Sequence, residues 1–338
     1  MRIAVDAMGG DYAPEEIVRG ALLARQEYDL NPVLVGNEEK IRAVMNEISS
    51  LKLDVVHASE VVTMEDAPAR ALRRKKQASV LVAARMLKQG EAQALVSAGS
   101  TGATMVASLL TFGRIKGIER PSIATLIPNR HGGLTLLLDV GASVDPEAKN
   151  ILHSALMGEV YAREVFSLKN PKLGLLNVGE EEGKGNRLVV SARNLIEKYC
   201  PSFCGNAEGS DIFNGDFDVI VCDGFVGNVA LKTIESTASL IIEMLKREIK
   251  SSLSARLASL LMRPQLESLR DKMDYASYGG APLLGVAGNV IISHGCSRAK
   301  AIKNAIFMAA EMGEKRVINN IAEQLKTIEE GIVGENDG

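Results

Sequence analysis

The sequence predicts an α/β protein built on a doubly wound, mainly parallel sheet, with a helical hairpin protruding from it. Three observations carry this. Short apolar runs alternate with longer helix-patterned segments along nearly the whole chain. Most of those runs are almost continuously apolar, as strands covered on both faces require. Glycine stands at 31 of 338 residues while Trp is absent and aromatics make up 4%, which suits tight strand-to-helix turns around an aliphatic core.

In chain order, strands are expected at Ile3–Ala7, Pro32–Val35, Leu53–His57, Ala94–Ser97, Ser122–Ile127, Leu134–Val140, Leu173–Val178, Val219–Cys222 and Val290–His294. Helices are expected at Pro14–Glu27, Ser79–Gln89, Thr101–Phe112, Pro146–Phe166 and Arg187–Lys198. Asp11 and Pro14 open the first, and Asp145-Pro146 places a proline near the first turn of a later one. No low-complexity linker interrupts the series, so residues 1–338 read as a single domain.

After Phe225 the rhythm changes. The chain stays helical to about Met273, with a break at Arg263-Pro264. Leu253, Leu257, Leu260 and Leu261 share one helix face, and Leu266, Leu269 and Met273 repeat the pattern beyond the proline. This makes a hairpin insertion over residues 240–275, whose first arm carries Lys246, Arg247, Lys250, Arg256 and Arg263. It is either a packing or dimer-interface element, or an anchor for an anionic membrane or an acidic carrier protein.

Several function classes fall away. A net charge of −3 gives no global reason to bind nucleic acid. Cys200, Cys204, Cys222 and Cys296 lack zinc-site spacing and read as reduced thiols, so no metal is expected. The opening Met1–Asp6 runs straight into a strand with no secretory core, which suggests a cytoplasmic protein. No run is read as the ~18–20 apolar residues that span a bilayer.

Ligands of open α/β sheets bind beyond the carboxyl ends of strands. The exits here are polar and glycine-rich. Asp6-Ala7-Met8-Gly9-Gly10-Asp11 flanks two glycines with carboxylates, and Ser97-Ala98-Gly99-Ser100-Thr101-Gly102 runs into a helix. Each is either a tight corner or an anion site; together, at two exits, they favour an anion. The third exit, Asn177-Val178-Gly179 through Lys184-Gly185-Asn186, is one residue short of a P-loop and lacks its Ser or Thr, which argues against nucleotide hydrolysis. Lys184 still offers a point charge to phosphate. Glu180, Glu181 and Glu182 form a solvated loop or orient that lysine. The fourth exit, Asp223-Gly224-Phe225-Val226-Gly227-Asn228, has Lys232 one turn further on. The fifth brings Ser293 and His294 to a strand end, where the imidazole is catalytic or simply structural. Arg70, Arg73, Arg74, Lys75 and Lys76 form a charged turn that is merely solvated or serves phosphate or carrier capture. No dinucleotide fingerprint and no nucleophile elbow occur.

These exits appear in one characteristic order. With Leu137-Leu138-Asp139-Val140-Gly141-Ala142, Asp274 through Gly285 and Gly288 through Gly295, they make the chain resemble the bacterial acyl-carrier-protein:phosphate acyltransferase (PlsX) family over essentially its whole length. One departure is Ser143-Val144-Asp145-Pro146, where the family more often has a Cys-Lys-Pro-type segment. The resemblance implies a phosphotransacetylase-like fold, a homodimer and no cofactor. It also implies reversible transfer of a long-chain fatty acyl group from acyl-carrier protein to inorganic phosphate, the acyl phosphate then feeding a membrane glycerol-phosphate acyltransferase. A cytoplasmic protein attached peripherally to the membrane is the implied setting.

That chemistry needs little acid–base help. Phosphate is substantially dianionic near pH 7, with a pKa of ~6–7, and the leaving thiol has a pKa of about 8–9. Direct attack of phosphate on the thioester is therefore expected, with oxyanion stabilisation dominant. The catalytic candidates are Lys184, Ser100, His294 and Asn228. Substrate binding is assigned to Asp6, Gly9, Gly10, Asp11, Ser97, Gly99, Thr101, Gly102, Asn177, Asn186 and Asp223. Carrier or membrane contact is assigned to Arg73, Arg74, Lys75, Lys246, Lys250, Arg256, Leu257, Leu260 and Leu261.

Overall fold

The computed structural model describes residues 1–267 and 279–336. Its strands are β1 (Arg2–Asp6), β2 (Asn31–Gly36), β3 (Asp54–His57), β4 (Ala94–Ser97), β5 (Ser122–Pro128) and β6 (Leu134–Leu138). They continue as β7 (Leu173–Leu176), β8 (Phe203–Ala207), β9 (Val219–Val221), β10 (Ala281–Leu284) and β11 (Asn289–Ile292). All eleven lie in one sheet, in the order β3-β2-β1-β4-β11-β10-β5-β6-β9-β7-β8.

All nine expected strands form. The two unexpected ones are β8, whose Phe-Cys-Gly-Asn-Ala is too polar to read as a buried run, and β10, where Pro282 argues against a central strand.

The pairing divides the sheet. β3, β2, β1, β4 and β11 are mutually parallel. β10 runs antiparallel to β11 and to β5, and β6 reverses again against β5. β9, β7 and β8 then follow the direction of β6. Two parallel half-sheets therefore run in opposite senses, with β10 and β5 at the junction. Their carboxyl ends point to opposite edges.

Successive side chains pass to opposite faces of each strand. Ile3, Val5, Val96, Leu136 and Leu138 enter one core, while Ala4, Leu95, Ile123, Leu137 and Val290 enter the other. The first core is covered by α1 (Glu15–Tyr28), α2 (Glu38–Ile48), α6 (Ala148–Val165), α7 (Arg187–Tyr199), α11 (Ala299–Glu314) and α12 (Val317–Asn336). The second is covered by α3 (Pro68–Arg74), α4 (Ser79–Lys88), α5 (Thr101–Thr111), α8 (Asp211–Asn214) and the start of α9 (Gly224–Ser251). Truncating a fully buried side chain such as Leu137 to Ala costs about 2–5 kcal/mol.

The hairpin turns earlier than its sequence suggests. Helix α9 ends at Ser251, and α10 (Leu253–Leu261) begins after an extended Ser252 whose Oγ accepts the Ala255 N–H at 3.1 Å. Arg256 seals the preceding helix end by donating to the Lys250 carbonyl at 2.8 Å. A second interruption falls at Met262, beside the break expected at Arg263-Pro264: α10 ends at Leu261, and residues 263–267 are helical again with Pro264 in their first turn. Leu269, Met273 and the segment from Asp274 to Tyr278 lie outside the described residues.

Only Gly224 and Gly227 are buried in α9. Leu240, Met244, Leu257, Leu260 and Leu261 are exposed, the last at 85%. By length and composition α9 is apolar enough to cross a membrane, with 6% of that stretch buried. The expectation that no segment meets this test is corrected. The apolar residues of α9 are interspersed with small polar ones and never form an unbroken run.

Candidate active site

The β1 and β4 exits bind each other. Asp6 Oδ2 accepts the Ser97 hydroxyl at 2.8 Å, and Asp6 Oδ1 accepts the Met8 N–H at 3.3 Å. Both residues are buried, and burial pushes the Asp6 carboxyl up in spite of these bonds. A Cβ on Gly9 would lie 2.7 Å from both Asp6 Oδ2 and the Gly99 nitrogen, so the two turns touch only because both carry glycine. The Asp11 N–H donates to the Gly295 carbonyl at 2.8 Å, which ties the β1 exit to the β11 exit. Ser100 caps α5, accepting the Ala103 N–H at 3.4 Å.

A cleft of about 400 Å³ opens over the sheet junction, between the start of α5 and the first turns of α9. Thr101 and Gly102 line it from α5, Thr125 from β5, and Asn228 and Lys232 from α9. Ser293, His294 and Ser297 close it from the β11 exit. Among its described lining residues, Lys232 is the one Lys or Arg and Glu235 the one carboxylate.

The β6 exit holds α9 against this cleft. Asp139 Oδ1 accepts the N–H groups of Ile123, Gly141 and Ala142 at 2.9, 3.1 and 3.0 Å, and Oδ2 accepts that of Ser143 at 2.7 Å. Burial still pushes this carboxyl up. A Cβ on Gly227 would fall 2.0 Å from the Asp139 carbonyl oxygen, so only glycine lets α9 approach so closely. Asp223 caps the helix with Oδ1, accepting from Phe225 and Val226 at 3.0 and 2.9 Å. The next residue along, Asn228, then packs beside Gly141 at the cleft wall.

His294 Nδ1 accepts the Cys296 N–H at 3.3 Å and lies 3.0 Å from its Sγ. That bond assigns the proton of the neutral ring to Nε2, leaving it a donor.

Two further cavities adjoin. One of about 850 Å³ shares Leu231, Glu235 and His294 with the cleft and continues past Ile127, Phe213 and Ile234. The other, about 950 Å³, shares Met105 with the cleft and is bordered by Arg114, Lys116 and Arg120.

The sequence pattern of the family described as "Fatty acid synthesis protein" matches residues 1–320. A phosphate acyltransferase of Pelotomaculum thermopropionicum is 51% identical over 330 residues, covering 97% of this chain and 96% of that protein. The chain belongs to the phosphate acyltransferase family. A second family relative, the phosphate acyltransferase of Heliobacterium modesticaldum, is 53% identical over 328 residues, covering 96% and 98%. Family membership makes the chain an acyltransferase of fatty-acid and phospholipid synthesis. A phosphotransacetylase from Streptococcus pyogenes superposes with a TM-score of 0.64 at 18% identity, covering 93% of this chain and 94% of its own. A branched-chain phosphotransacylase from Enterococcus faecalis gives 0.58 at 16%, covering 92% and 99%. At such identities the likeness shows the fold, which is the one expected.

Of the acyltransferase's sequence-predicted site residues, the cleft gathers Thr101, Gly102, Asn228 and His294. Asp6, Gly9, Gly10, Asp11, Ser97, Gly99, Ser100 and Asp223 shape the adjoining turns, where most of their polar groups serve the fold. Asn177, Lys184 and Asn186 sit at the β7 exit. Asn177 Nδ2 donates to the Lys184 carbonyl at 2.9 Å, Asn186 caps α7, and Lys184 Nζ lies 3.9 Å from Glu181. This exit shares an edge with those of β6 and β9, roughly 10 Å from β6 at ~4.8 Å per strand.

Arg73 and Arg74 are exposed on α3, whose Pro68 packs on Gly102. Lys75 is instead tied to Asp66 at 2.6 Å and to the Val61 carbonyl at 2.8 Å. The sequence-based assignments omitted Lys232, Ser293 and Ser297. Lys232 and Ser293 were visible near polar exits. For Ser297 the available signal was its spacing, four residues beyond Ser293.

Proposed function

We propose that this cleft transfers a long-chain fatty acyl group from acyl-carrier protein to inorganic phosphate, by direct attack on the thioester. One observation carries the reading: a small cleft lined by Lys232, Asn228, His294 and several hydroxyls adjoins a larger, more apolar groove along β5 and α9, with which it shares Leu231, Glu235 and His294. A reacting thioester suits the first and an alkyl chain the second, since burying each methylene is worth about 0.8 kcal/mol. Membership in the phosphate acyltransferase family supports phosphate as acceptor.

In this scheme a phosphate oxygen attacks the thioester carbon while the carbonyl oxygen gathers charge. Asn228 and His294, which line the cleft, would donate to that charge. The carbon–sulfur bond then breaks, and the thiolate of the carrier takes up the proton that the attacking hydrogen phosphate releases, directly or through water. Lys232 draws phosphate into the cleft, and Lys184, at the β7 exit on the same edge as that of β6, adds positive charge at longer range. The exposed Arg73 and Arg74, with Arg114, Lys116 and Arg120 around the basic cavity, would receive an acidic carrier.

The exposed apolar face of α9 and α10 suits a homodimer contact or peripheral attachment to a membrane, with Lys246, Lys250 and Arg256 toward anionic headgroups. Such attachment would place the acyl phosphate where a membrane glycerol-phosphate acyltransferase takes it up. The deciding assay is hydroxylamine trapping of acyl phosphate from palmitoyl-acyl-carrier protein and from palmitoyl-coenzyme A at equal concentration. Phosphate-dependent product, faster from the carrier, is expected. Product from coenzyme A alone would reassign the donor.

A further inference from the structure

Two side chains at the cleft have no role in the fold that the structure shows. Ser293 and Ser297 are each 4% exposed, and among the described residues neither hydroxyl has a hydrogen-bond partner. Both residues line the cleft. A buried hydroxyl without a partner costs about 1–3 kcal/mol, so a pair of them in one wall calls for an explanation.

Their setting keeps room for one. Gly280, at φ +88°, stands beside Ser293, and a Cβ there would lie 3.2 Å from its Oγ. The Ser297 N–H donates to the His294 carbonyl at 2.9 Å, so the turn that carries both serines is fixed through its backbone while the hydroxyls stay uncommitted. Lys232 enters the same cavity from α9, and the first residues of α5 open onto it.

We propose that Ser293 and Ser297 are the hydroxyl donors that bind the inorganic phosphate acceptor, with Lys232 supplying the opposing charge. This rests on the acyl-to-phosphate reading and deepens it. A dianion needs several donors and a cation in the ground state, and the cleft offers both, the hydroxyls at the β11 exit and the lysine on α9. A thioester carbonyl is neutral until attack and needs donors placed at one oxygen only. The serines act as binding residues, and the acyl donor is held elsewhere, at the apolar groove.

The test varies phosphate at saturating acyl-carrier protein in the wild type, Ser293→Ala, Ser297→Ala and Ser297→Thr. Each alanine variant should raise the phosphate KM about 10-fold or more and leave the KM for the acyl carrier unchanged, while Ser297→Thr should recover part of what Ser297→Ala loses. A second readout needs no turnover: inorganic phosphate, at matched ionic strength, should raise the Tm of the wild type and not that of the double alanine variant. The Tm without phosphate shows that the variants fold.

An unchanged phosphate KM with a fallen kcat would overturn the proposal and move the hydroxyls to the thioester oxyanion. No change in either constant would overturn it in favour of a structural water. If the wild type makes no acyl phosphate yet shows a phosphate-dependent Tm that the variants lose, the site stands and the reaction assigned to it falls.

Discussion

The β1 and β4 exits and the β11 exit are all small, polar and glycine-containing, yet they do different work. At the first two, Asp6 and Ser97 hold each other, Ser100 caps a helix and Gly9 lies against Gly99. At the third, Ser293 and Ser297 are buried with no hydrogen-bond partner among the described residues. A polar strand exit is therefore not a site by composition alone. What separates the two is whether the donors and acceptors are already used within the fold.

That contrast is breakable. The largest effect is expected where the fold is tightest: Gly227→Ala should destabilise by about 3 kcal/mol or more, because its Cβ would fall 2.0 Å from the Asp139 carbonyl oxygen. Urea unfolding measures it, and a near-neutral result would mean that α9 moves freely. Asp6→Ala should cost about 1–3 kcal/mol by leaving the Ser97 hydroxyl proton and the Met8 amide without their acceptor. A large loss of activity at unchanged stability would instead make Asp6 a catalytic group.

Lys232→Ala should raise the phosphate KM about 10-fold, equivalent to about 1.4 kcal/mol, with a smaller effect from Lys184→Ala at the β7 exit. The reverse order would bring the β7 exit into the cleft. Asp6 also makes a pH prediction. Its folded pKa lies above the ordinary 3.8, so the folded state keeps the proton after the unfolded state has released it. Stability from this group is full below that ordinary value and is lost as pH rises through the raised one. Asp6→Asn should remove that slope in pH-dependent denaturation. The smallest catalytic effect is expected from Leu257, Leu260 and Leu261 replaced together by Ser. Turnover in detergent should change by less than about 2-fold, while self-association or vesicle binding is lost.

The sheet was legible because both faces of its central strands are buried, so runs such as Val219–Val221 are apolar end to end. β10 was not legible, since its place between β11 and β5 is set by tertiary pairing that overrides Pro282. The reversal between half-sheets was hidden too, and it decides which exits can meet. Thr101, Asn228 and His294 were found because strand exits into helices are recognisable locally. Ser293 and Ser297 were not assigned, because the lack of a partner is a property of packing. The interruption beside Pro264 was legible from the proline, whereas the break at Ser252 was not, because a serine that caps a helix looks locally like any other polar surface residue.

The central claim is direct transfer from carrier to phosphate within this cleft. The most direct measurement mixes the enzyme with radiolabelled acyl-acyl-carrier protein and phosphate, quenches in denaturant, and separates protein from small molecules. The account predicts label in hydroxylamine-reactive acyl phosphate and none on the enzyme. Label retained on the denatured enzyme, or no phosphate-dependent product from folded protein, would contradict it.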